Sequence, residues 1–345
     1  MNRIGVVAIG RNEGARLRRC LESARRYADA VVYVDSASSD DSVHVAGTMG
    51  ADVVALDMSL PFSAARARNA GFERLVELAP GVQFVQFVDG DCEIANGWTQ
   101  RAVSLLQAQP ELAVVAGRRR ERFPERTIYN RLCDIEWDTP LGETRACGGD
   151  AMMRVEVFRA VGGYDPLVIA GEEPEMCVRL RAAGWKILRA DADMTWHDAD
   201  MYRFGQWWRR TVRAGHAYAE GAWMHGAAPE RHWVRESSSI WFWAAVVPLV
   251  ALALAWSTGG WSLLILAAYL VLWLRVASYG RRRGWGAHGS MTYALFVVIG
   301  KFPQLLGQLK FFLLRALGRR SRVIEYKSAT TQPVSAPAEL SRGAQ

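Results

Sequence analysis

The feature that most constrains this chain is a strand-like segment that ends in two carboxylates one residue apart. Residues 83–88 are rich in β-branched and aromatic side chains, and Asp89, Gly90 and Asp91 follow at once. In an extended chain, residues two positions apart point the same way and lie roughly 6–7 Å apart. Two carboxylates at that separation repel each other by about 2–3 kcal/mol at an effective dielectric constant near 20. The pair therefore predicts either a solvated turn or a cation site, and Gly90 would let a ligand approach the backbone closely.

Charge is distributed unevenly along the 345 residues, of which half are apolar. Residues 200–345 contain 18 lysines and arginines against 6 aspartates and glutamates, a net charge of +12, so the first 199 residues carry −5 of the total of +7. A basic, tryptophan-rich second half indicates an anionic partner, either a membrane or a nucleic acid. Because these charges flank apolar runs, we expect anionic membrane lipids as partners and no nucleic acid. The five cysteines form no Cys-x-x-Cys pair, which favours reduced thiols in the cytosol.

The first half of the sequence alternates strand-like and helix-like segments. Apolar runs at residues 4–9, 30–35, 51–56 and 83–88 are separated by helical patterns. This alternation predicts an α/β fold with a mostly parallel, Rossmann-like sheet and helices on both faces. In such sheets, polar residues at the carboxyl ends of the strands line the ligand crevice. The rule places five side chains at one edge: Asn12, Glu13, Asp35, Asp89 and Asp91.

Four short blocks carry a resemblance to glycosyltransferase family 2. They lie at residues 7–13, 34–40, 67–71 and 88–91, and their order and spacing also fit that family. The resemblance implies a GT-A fold that binds a nucleotide-sugar, a UDP- or GDP-sugar, with Mn²⁺ or Mg²⁺ on its diphosphate. A hard divalent cation prefers carboxylate oxygens and neutralises charge on a phosphate leaving group.

The same resemblance implies roles for single residues. Asp35 would contact the nucleoside base, and Arg68 would lie near the nucleotide. Asp91 would be the direct metal ligand, with Asp89 meeting the ribose or an outer-shell water. His197 follows a later strand, where related GT-A enzymes supply a further ligand; neutral imidazole suits Mn²⁺, although a lone histidine is more often structural.

Two informative segments lie in the middle of the chain. Gly149 and Asp150, in a block at residues 147–154, are assigned to the nucleotide-sugar site. Glu172 and Glu173 precede a helix, where carboxylates are common simply because the helix dipole favours them. Their surroundings also resemble the Gly-Glu-Asp-x-Asp-Leu block of the family, whose central aspartate is the catalytic base. Glu173 stands at that position and is favoured as the base, with Glu172 as the alternative.

A tryptophan-rich motif begins at Gln206. Residues 206–210 resemble the Gln-x-x-Arg-Trp signature of processive polysaccharide synthases, except that Arg210 replaces the tryptophan. This departure weakens a processive interpretation, while Arg209 remains a candidate for contact with a donor or acceptor phosphate. The alternative is an amphipathic interfacial helix with Trp207 and Trp208 among lipid headgroups.

The second half contains apolar runs that suit a membrane. Residues 240–256 and 261–274 carry no charge and are joined by a four-residue turn, which predicts a transmembrane hairpin with both ends inside. Residues 291–317 are apolar but carry Lys301 and Pro303, which favours a broken helix in the interface over a third span. These patterns divide the chain into a GT-A catalytic domain (1–236), a transmembrane helical hairpin (237–280), a basic segment with an interfacial amphipathic helix (281–327) and a disordered tail (328–345).

Together these observations predict a metal-dependent inverting glycosyltransferase in the inner membrane, with its catalytic domain in the cytoplasm. It would move a sugar from a nucleotide-sugar to a lipid-linked or membrane-proximal acceptor in cell-envelope or exopolysaccharide synthesis. One alternative is a processive polysaccharide synthase, for which a single hairpin provides little channel. Another is a catalytically inactive GT-A membrane adaptor, against which the retention of Arg68, Asp91 and Glu173 argues.

Overall fold

The computed structural model describes residues 3–319 of the chain. Nine strands form one sheet: β1 (Ile4–Gly10), β2 (Ala30–Asp35), β3 (Asp52–Ala55), β4 (Phe84–Asp89), β5 (Cys92–Ile94), β6 (Leu112–Glu121), β7 (Gly142–Thr144), β8 (Ala151–Arg154) and β9 (Lys186–His197). The helices of the first 200 residues are α1 (Ala15–Arg25), α2 (Ser42–Thr48), α3 (Ala64–Leu78), α4 (Trp98–Ala108), α5 (Ile128–Trp137), α6 (Val155–Ala160) and α7 (Glu172–Ala182). The long helices that follow are α8 (Phe204–His225), α9 (Val234–Ala253), α10 (Trp261–Arg282) and α11 (Gly286–Ala316).

The sheet has the order β3-β2-β1-β4-β8-β6-β9-β5, with β7 paired to β9. The α/β prediction is confirmed, but the sheet is parallel only in its first half, from β3 to β4. In the second half only β6 and β9 are parallel, and the other pairings are antiparallel. The pairing is therefore parallel in the first half of the sheet and mixed in the second. Strands β5, β7 and β8 have only three or four residues, too few for a clear hydrophobic period.

Register in the parallel half places the predicted residues at one edge. Gly10 pairs with Asp35, and Ile9 pairs with Asp89, so the loops after β1, β2 and β4 begin side by side. Helix α3 packs closely on these strands because Gly71 has no side chain; a Cβ there would collide with Val7. This close approach brings the amino-terminal part of α3 to the same edge.

Register in the second half brings together residues that are far apart in sequence. His197 at the end of β9 pairs with Cys92 of β5 on one side and with Glu121 of β6 on the other. Asp91 immediately precedes Cys92. The sheet thus holds Asp91, Glu121 and His197 next to each other, at the same edge as Asp89.

A large apolar core lies between the sheet and helices α1 to α4, α6 and α7. One polar pair within it is hydrogen-bonded: the indole of Trp98 donates to Oε1 of Gln86 at 2.7 Å, and both side chains are buried. The five cysteines are all buried free thiols.

The carboxyl-terminal helices differ in part from the predicted arrangement. Helices α9, α10 and α11 are each long and apolar enough to cross a membrane, where the sequence predicted two spans. Helix α11 is one continuous helix of 31 residues that includes Pro303, so the broken helix expected for residues 291–317 was wrong. Exposed large apolar side chains cover α9 to α11, among them Leu249, Leu264 and Trp261. The predicted tail, residues 328–345, lies outside the described residues.

Helix α11 also packs tightly along α8, which links the sheet-bearing part of the chain to the apolar helices. A Cβ at Gly215 of α8 would collide with the backbone of Gln304, and one at Gly307 of α11 would collide with the backbone of Val212. Trp207 is buried in a second small core, 4.8 Å from the ring of Phe296 in an edge-to-face contact. Trp207 therefore joins two helices, and it is buried, which the alternative of a side chain among lipid headgroups does not fit.

Candidate active site

A cleft of ≈ 980 Å³ opens where the parallel strands end. One end, which we call the sheet end, is lined by Asn12, Glu13, Arg68, Asp89, Arg119 and Glu173. The other, the helix end, is lined by residues of α8, α11 and the segment before α9: Trp207, Arg213, Tyr218, Trp233, Phe296 and Lys301. A smaller cavity of ≈ 140 Å³ shares Asp89 and Arg119 with the cleft and reaches Asp91 and His197. The cleft therefore joins a charged surface to an aromatic one.

Arg68 is the centre of the sheet end. It lies on α3, is 3% exposed, and bridges Asp89 Oδ1 at 2.8 Å, Glu172 Oε1 at 2.9 Å and Glu173 Oε1 at 2.8 Å. Burial alone would lower the pKa of Arg68, but the three carboxylates raise it well above its ordinary value. This guanidinium contacts Asp89 at the end of β4 and the two glutamates at the start of α7. It therefore fixes the carboxylates of these two elements relative to each other.

Arg119 is a functional candidate that the sequence analysis missed. Its Nη2 lies 2.9 Å from Asp89 Oδ2, its Nε lies 3.4 Å from Asp150 Oδ2, and its guanidinium stacks 5.0 Å above the ring of Trp137. Burial raises the pKa of Asp89, but Arg68 and Arg119 outweigh it and hold that pKa at about 2. The sequence feature that could have identified Arg119 is the run of three arginines at residues 118–120, near the end of β6. Side chains alternate along a strand, so Arg119 faces the cleft while its neighbours Arg118 and Arg120 do not line it.

Asp150 and Gly149 both belong to the site, but in different ways. Asp150 is fully buried beneath it: its carboxylate accepts the backbone N–H of Asp89 at 3.0 Å and the hydroxyl of Thr195 at 2.6 Å. It does not line the cleft, so the structure places it under the predicted nucleotide-sugar site. Gly149 does line the cleft, and a Cβ there would collide with Nη2 of Arg68.

Asp91 and His197 meet as the sequence predicts. Asp91 Oδ2 lies 3.2 Å from Nε2 of His197, whose Nδ1 lies 3.3 Å from Oε2 of Glu121. Glu121 also accepts the backbone N–H of Ala199 at 3.0 Å, so its position is fixed. Burial lowers the pKa of His197, but Asp91 and Glu121 outweigh it and raise that pKa. Glu121 is a second residue that the sequence analysis missed, because only the pairing of β6 with β9 brings it beside His197.

The chemistry of this group fits a divalent cation. A carboxylate on Nδ1 of His197 orients the ring so that Nε2 can face a metal, the arrangement common around bound metals. Five carboxylates lie around Arg68 and Arg119: Asp89, Asp91, Asp150, Glu172 and Glu173. When all five are ionised, their negative charges exceed the two guanidinium charges by three. Two groups of side chains come close enough together to hold a metal ion such as Mn²⁺ or Mg²⁺: Asp91, Cys92 and His197, and Asp89, Cys92 and Asp150. Asp89, predicted as a further ligand, has both oxygens paired with arginines.

Glu172 and Glu173 are distinguished by exposure. Glu172 is 4% exposed and Glu173 is 12% exposed, and both line the cleft at the start of α7. Burial and the neighbouring Glu172 carboxylate raise the pKa of Glu173 to about 7, against the opposing effect of Arg68. A carboxylate with a pKa near neutrality that faces a cleft is suited to accept a proton. The structure thus favours Glu173 over Glu172 as a general base.

The loops after β1 and β2 interlock at the outer rim of the sheet end. Asn12 accepts the backbone N–H of Ser39 at 2.7 Å and lines the cleft. Asp35, predicted to contact a nucleoside base, does not line the cleft; its carboxylate accepts the backbone N–H of Ser38 at 2.9 Å and the hydroxyl of Tyr33 at 3.2 Å. Glu13 lines the cleft and pairs with Arg16 at 3.0 Å.

Comparison with known proteins identifies this region. The family model described as Glycosyl transferase family 2 matches residues 6–162. Residues 6–162, slightly under half of the chain, therefore resemble glycosyltransferases of family 2. The match covers the strands that carry Asp89, Asp91 and Glu121, and it ends before Glu172 and His197.

Curated relatives of this chain are similar over a short stretch. The uncharacterized glycosyltransferase RP128 of Rickettsia prowazekii is 43% identical over 54 residues, 16% of this chain and 18% of that protein. The uncharacterized glycosyltransferase RT0209 of Rickettsia typhi gives the same identity over the same length. The chain therefore aligns with less than a fifth of each relative.

Solved structures are similar over most of the chain. The mannosyltransferase PcManGT of Pyrobaculum calidifontis, in complex with GDP-Man and Mn²⁺, has a TM-score of 0.60 at 21% identity and covers 90% of this chain and 87% of its own. Residues 1–349 of TarS of S. aureus have a TM-score of 0.50 at 12% identity, with 93% of each chain covered. At these identities the similarity concerns the fold, and the predicted GT-A fold is confirmed.

Arg209 is a further predicted residue that does not line the cleft, and it is exposed on α8. The next residue, Arg210, does line it and pairs with Glu136 at 2.6 Å. Because helical residues one position apart point about 100° away from each other, the motif alone could not decide which arginine faces inward. Arg210 is therefore the arginine of this motif that lines the cleft.

Proposed function

We propose that this protein is a metal-dependent inverting glycosyltransferase that transfers one sugar from a nucleotide-sugar to a lipid-linked or membrane-proximal acceptor, in cell-envelope or exopolysaccharide synthesis. The observation that carries the proposal is that two groups of side chains meet at Asp89, which lines both the cleft and the smaller cavity. Asp91 and His197 line the smaller cavity with Asp89, while Arg68 in the cleft pairs with both Asp89 and Glu173. We infer a cation site at the first group and a base at the second.

The residues of the sheet end divide the work. Asn12, Glu13 and Gly149 line the space for the nucleotide-sugar, while Arg68 and Arg119 fix Asp89. Asp91 and His197 would hold Mn²⁺ or Mg²⁺, which when bound supplies charge neutralisation on the departing diphosphate. Glu173 accepts the proton of the acceptor hydroxyl. Attack from the face opposite the diphosphate inverts the anomeric configuration in a single displacement.

The similar structures support the donor class. The P. calidifontis mannosyltransferase was solved with GDP-Man and Mn²⁺, and its fold matches most of this chain. We therefore propose a UDP- or GDP-sugar as the donor. The exposed apolar helices α9 to α11 support an inner-membrane location with the transferase domain in the cytoplasm, together with anionic lipids as neighbours.

The experiment that tests the proposal is sugar transfer by the full chain in membranes, with the variants Asp91→Asn and Glu173→Gln. Loss of a metal ligand removes several kcal/mol of charge stabilisation, so we expect Asp91→Asn to lower transfer about a hundredfold or more. Loss of a general base lowers rates about 10²–10⁴-fold. Glu125→Gln, at an exposed position outside the cleft, is the matched control and should leave transfer unchanged. Near-normal turnover in both site variants would overturn the assignment.

A further inference from the structure

Two buried cysteines are in contact next to the segments that carry Gly149 and Glu173. Cys147 lies in the segment before β8 and Cys177 lies on α7, and their sulfur atoms are 3.7 Å apart. Cys147 is 8% exposed and Cys177 is fully buried, and both are free thiols. They are 30 residues apart in the sequence, so the fold brings them together. Two sulfurs in contact can form a disulfide when an oxidant reaches them.

Each of the two cysteines belongs to a segment that lines the cleft. Cys177 lies one helical turn after Glu173 on α7, so the two side chains share a face of that helix. Cys147 lies two residues before Gly149, where a Cβ would come within 2.4 Å of Arg68 Nη2 and 3.0 Å of Glu173 Oε1. Gly149 therefore packs closely against the proposed base and its arginine. A movement of either cysteine displaces one of these two groups relative to the other.

A third polar side chain lies near the two thiols. The hydroxyl of Tyr164 is fully buried and has no hydrogen-bond partner within residues 3–319. Burial raises the pKa of Tyr164 well above its ordinary value against the effect of Arg68, and both Cys147 and Cys177 add to the rise. The hydroxyl is therefore within electrostatic range of both sulfurs. A buried hydroxyl normally has a partner, and the oxygen of a sulfenic acid, the first product of thiol oxidation, would supply one.

We propose that Cys147 and Cys177 are a redox modification site, at which hydrogen peroxide forms a disulfide that slows sugar transfer. One thiolate attacks a peroxide oxygen: an S–O bond forms, the O–O bond breaks, and the departing hydroxide takes up a proton and leaves as water. The other thiolate attacks the resulting sulfenic sulfur, which forms the S–S bond and releases the second oxygen as water. Two thiols and one peroxide thus give one disulfide and two waters, and two electrons pass from sulfur to oxygen.

The consequence for the cleft follows from the length of the new bond. The two sulfurs have to approach from 3.7 Å to about 2.05 Å, a change of about 1.65 Å. This approach draws α7 and the segment before Gly149 together at a point where Gly149 has no free space beside Arg68. A misplacement of about 1 Å can lower an enzymatic rate about 100-fold. The effect on transfer rests on the proposed function, whereas formation of the bond does not.

The test treats the full chain in membranes with hydrogen peroxide, after removal of the reductant used in its preparation. Peptide mass spectrometry should find a Cys147–Cys177 disulfide, lighter than the reduced pair by two hydrogen atoms. Sugar transfer should fall about tenfold or more, and dithiothreitol should restore both the thiols and the rate. Because Cys147→Ala cannot form the bond, its rate of transfer should be nearly the same before and after treatment.

Controls separate this inference from general oxidation and from misfolding. Cys20→Ala removes another buried thiol, on α1, and should be as sensitive to peroxide as the unchanged chain. Cys177→Ala tests the same bond from its other side, so a folding defect in one variant leaves the other decisive.

Three results would overturn the inference: no disulfide between Cys147 and Cys177 after peroxide, unchanged transfer once the disulfide has formed, or full sensitivity to peroxide in the two alanine variants. A chain that forms the disulfide but transfers no sugar even when reduced would overturn the proposed function and leave the modification site in place.

Discussion

The two ends of the cleft carry similar cationic side chains in different surroundings. At the sheet end, Arg68 and Arg119 are buried and neutralised by carboxylates that strand register holds in place. At the helix end, Arg213 and Lys301 lie among aromatic rings without a salt bridge in the described part of the chain. Paired arginines stiffen a site, whereas unpaired cations remain available to a ligand. The difference separates a rigid, charge-paired end of the cleft from an end at which cations line the cleft without such pairing.

The largest effect that separates the two ends is expected from Glu121→Gln. The amide cannot hold His197 as the carboxylate does, and loss of such an outer partner costs about 10–100-fold in metal affinity or activity. The measurement is the Mn²⁺ concentration needed for half-maximal sugar transfer. Glu125→Gln, at an exposed position outside the cleft, is the matched control and should leave the Mn²⁺ requirement unchanged. An unchanged Mn²⁺ requirement would contradict the role given to Glu121 and the separation of the two ends.

A somewhat smaller effect concerns pH. Burial and Glu172 raise the pKa of Glu173 to about 7, and a general base works only in its ionised form. Sugar transfer at saturating donor and metal should therefore fall about tenfold per pH unit below 7 and level off above it. In Glu173→Gln the residual activity should lose this dependence. A profile that stays flat from pH 5.5 to 8 would show that Glu173 is not the titrating base.

The smallest effect compares two adjacent glycines. In Gly149→Ala, the new Cβ would collide with the guanidinium of Arg68, which three carboxylates prevent from moving freely. Overpacking of this kind costs about 1–3 kcal/mol, and we expect roughly a fivefold or greater loss of transfer. Gly148→Ala is the matched control, because a Cβ there has no neighbour within 4 Å. Equal transfer rates in the two variants would show that the sheet end is less rigid than its charge pairing indicates.

The residues that local pattern could locate are those at the ends of clear strands. Strands β1, β2 and β4 have strong apolar runs, and Asn12, Asp35 and Asp89 follow from where those runs stop. The hydrogen-bond partners of Asp35 could not be predicted from the sequence in the same way. Its carboxylate is occupied by Ser38 and Tyr33, contacts that depend on the conformation of the loop.

The residues that local pattern missed belong to the mixed half of the sheet. Arg119 and Glu121 lie on β6, far in sequence from the Asp89 and His197 that they contact. Only the pairing of β6 with β9 brings these groups together. The choice of Arg210 over Arg209 in the cleft and the burial of Trp207 similarly depend on how α8 packs against α11.

The sequence by itself determined the α/β class, the resemblance to family 2 glycosyltransferases, the carboxylates of the candidate metal site and the presence of long apolar helices. These follow from local period, composition and short motifs, which depend on neighbours along the chain. The tertiary structure decided which charges are neutralised and which remain available. The enclosure of Asp89 between two arginines and the exposure of Arg213 and Lys301 to the cleft depend on contacts between distant segments. The two-carboxylate strand end predicted a cation site, and packing determined which side chains surround it.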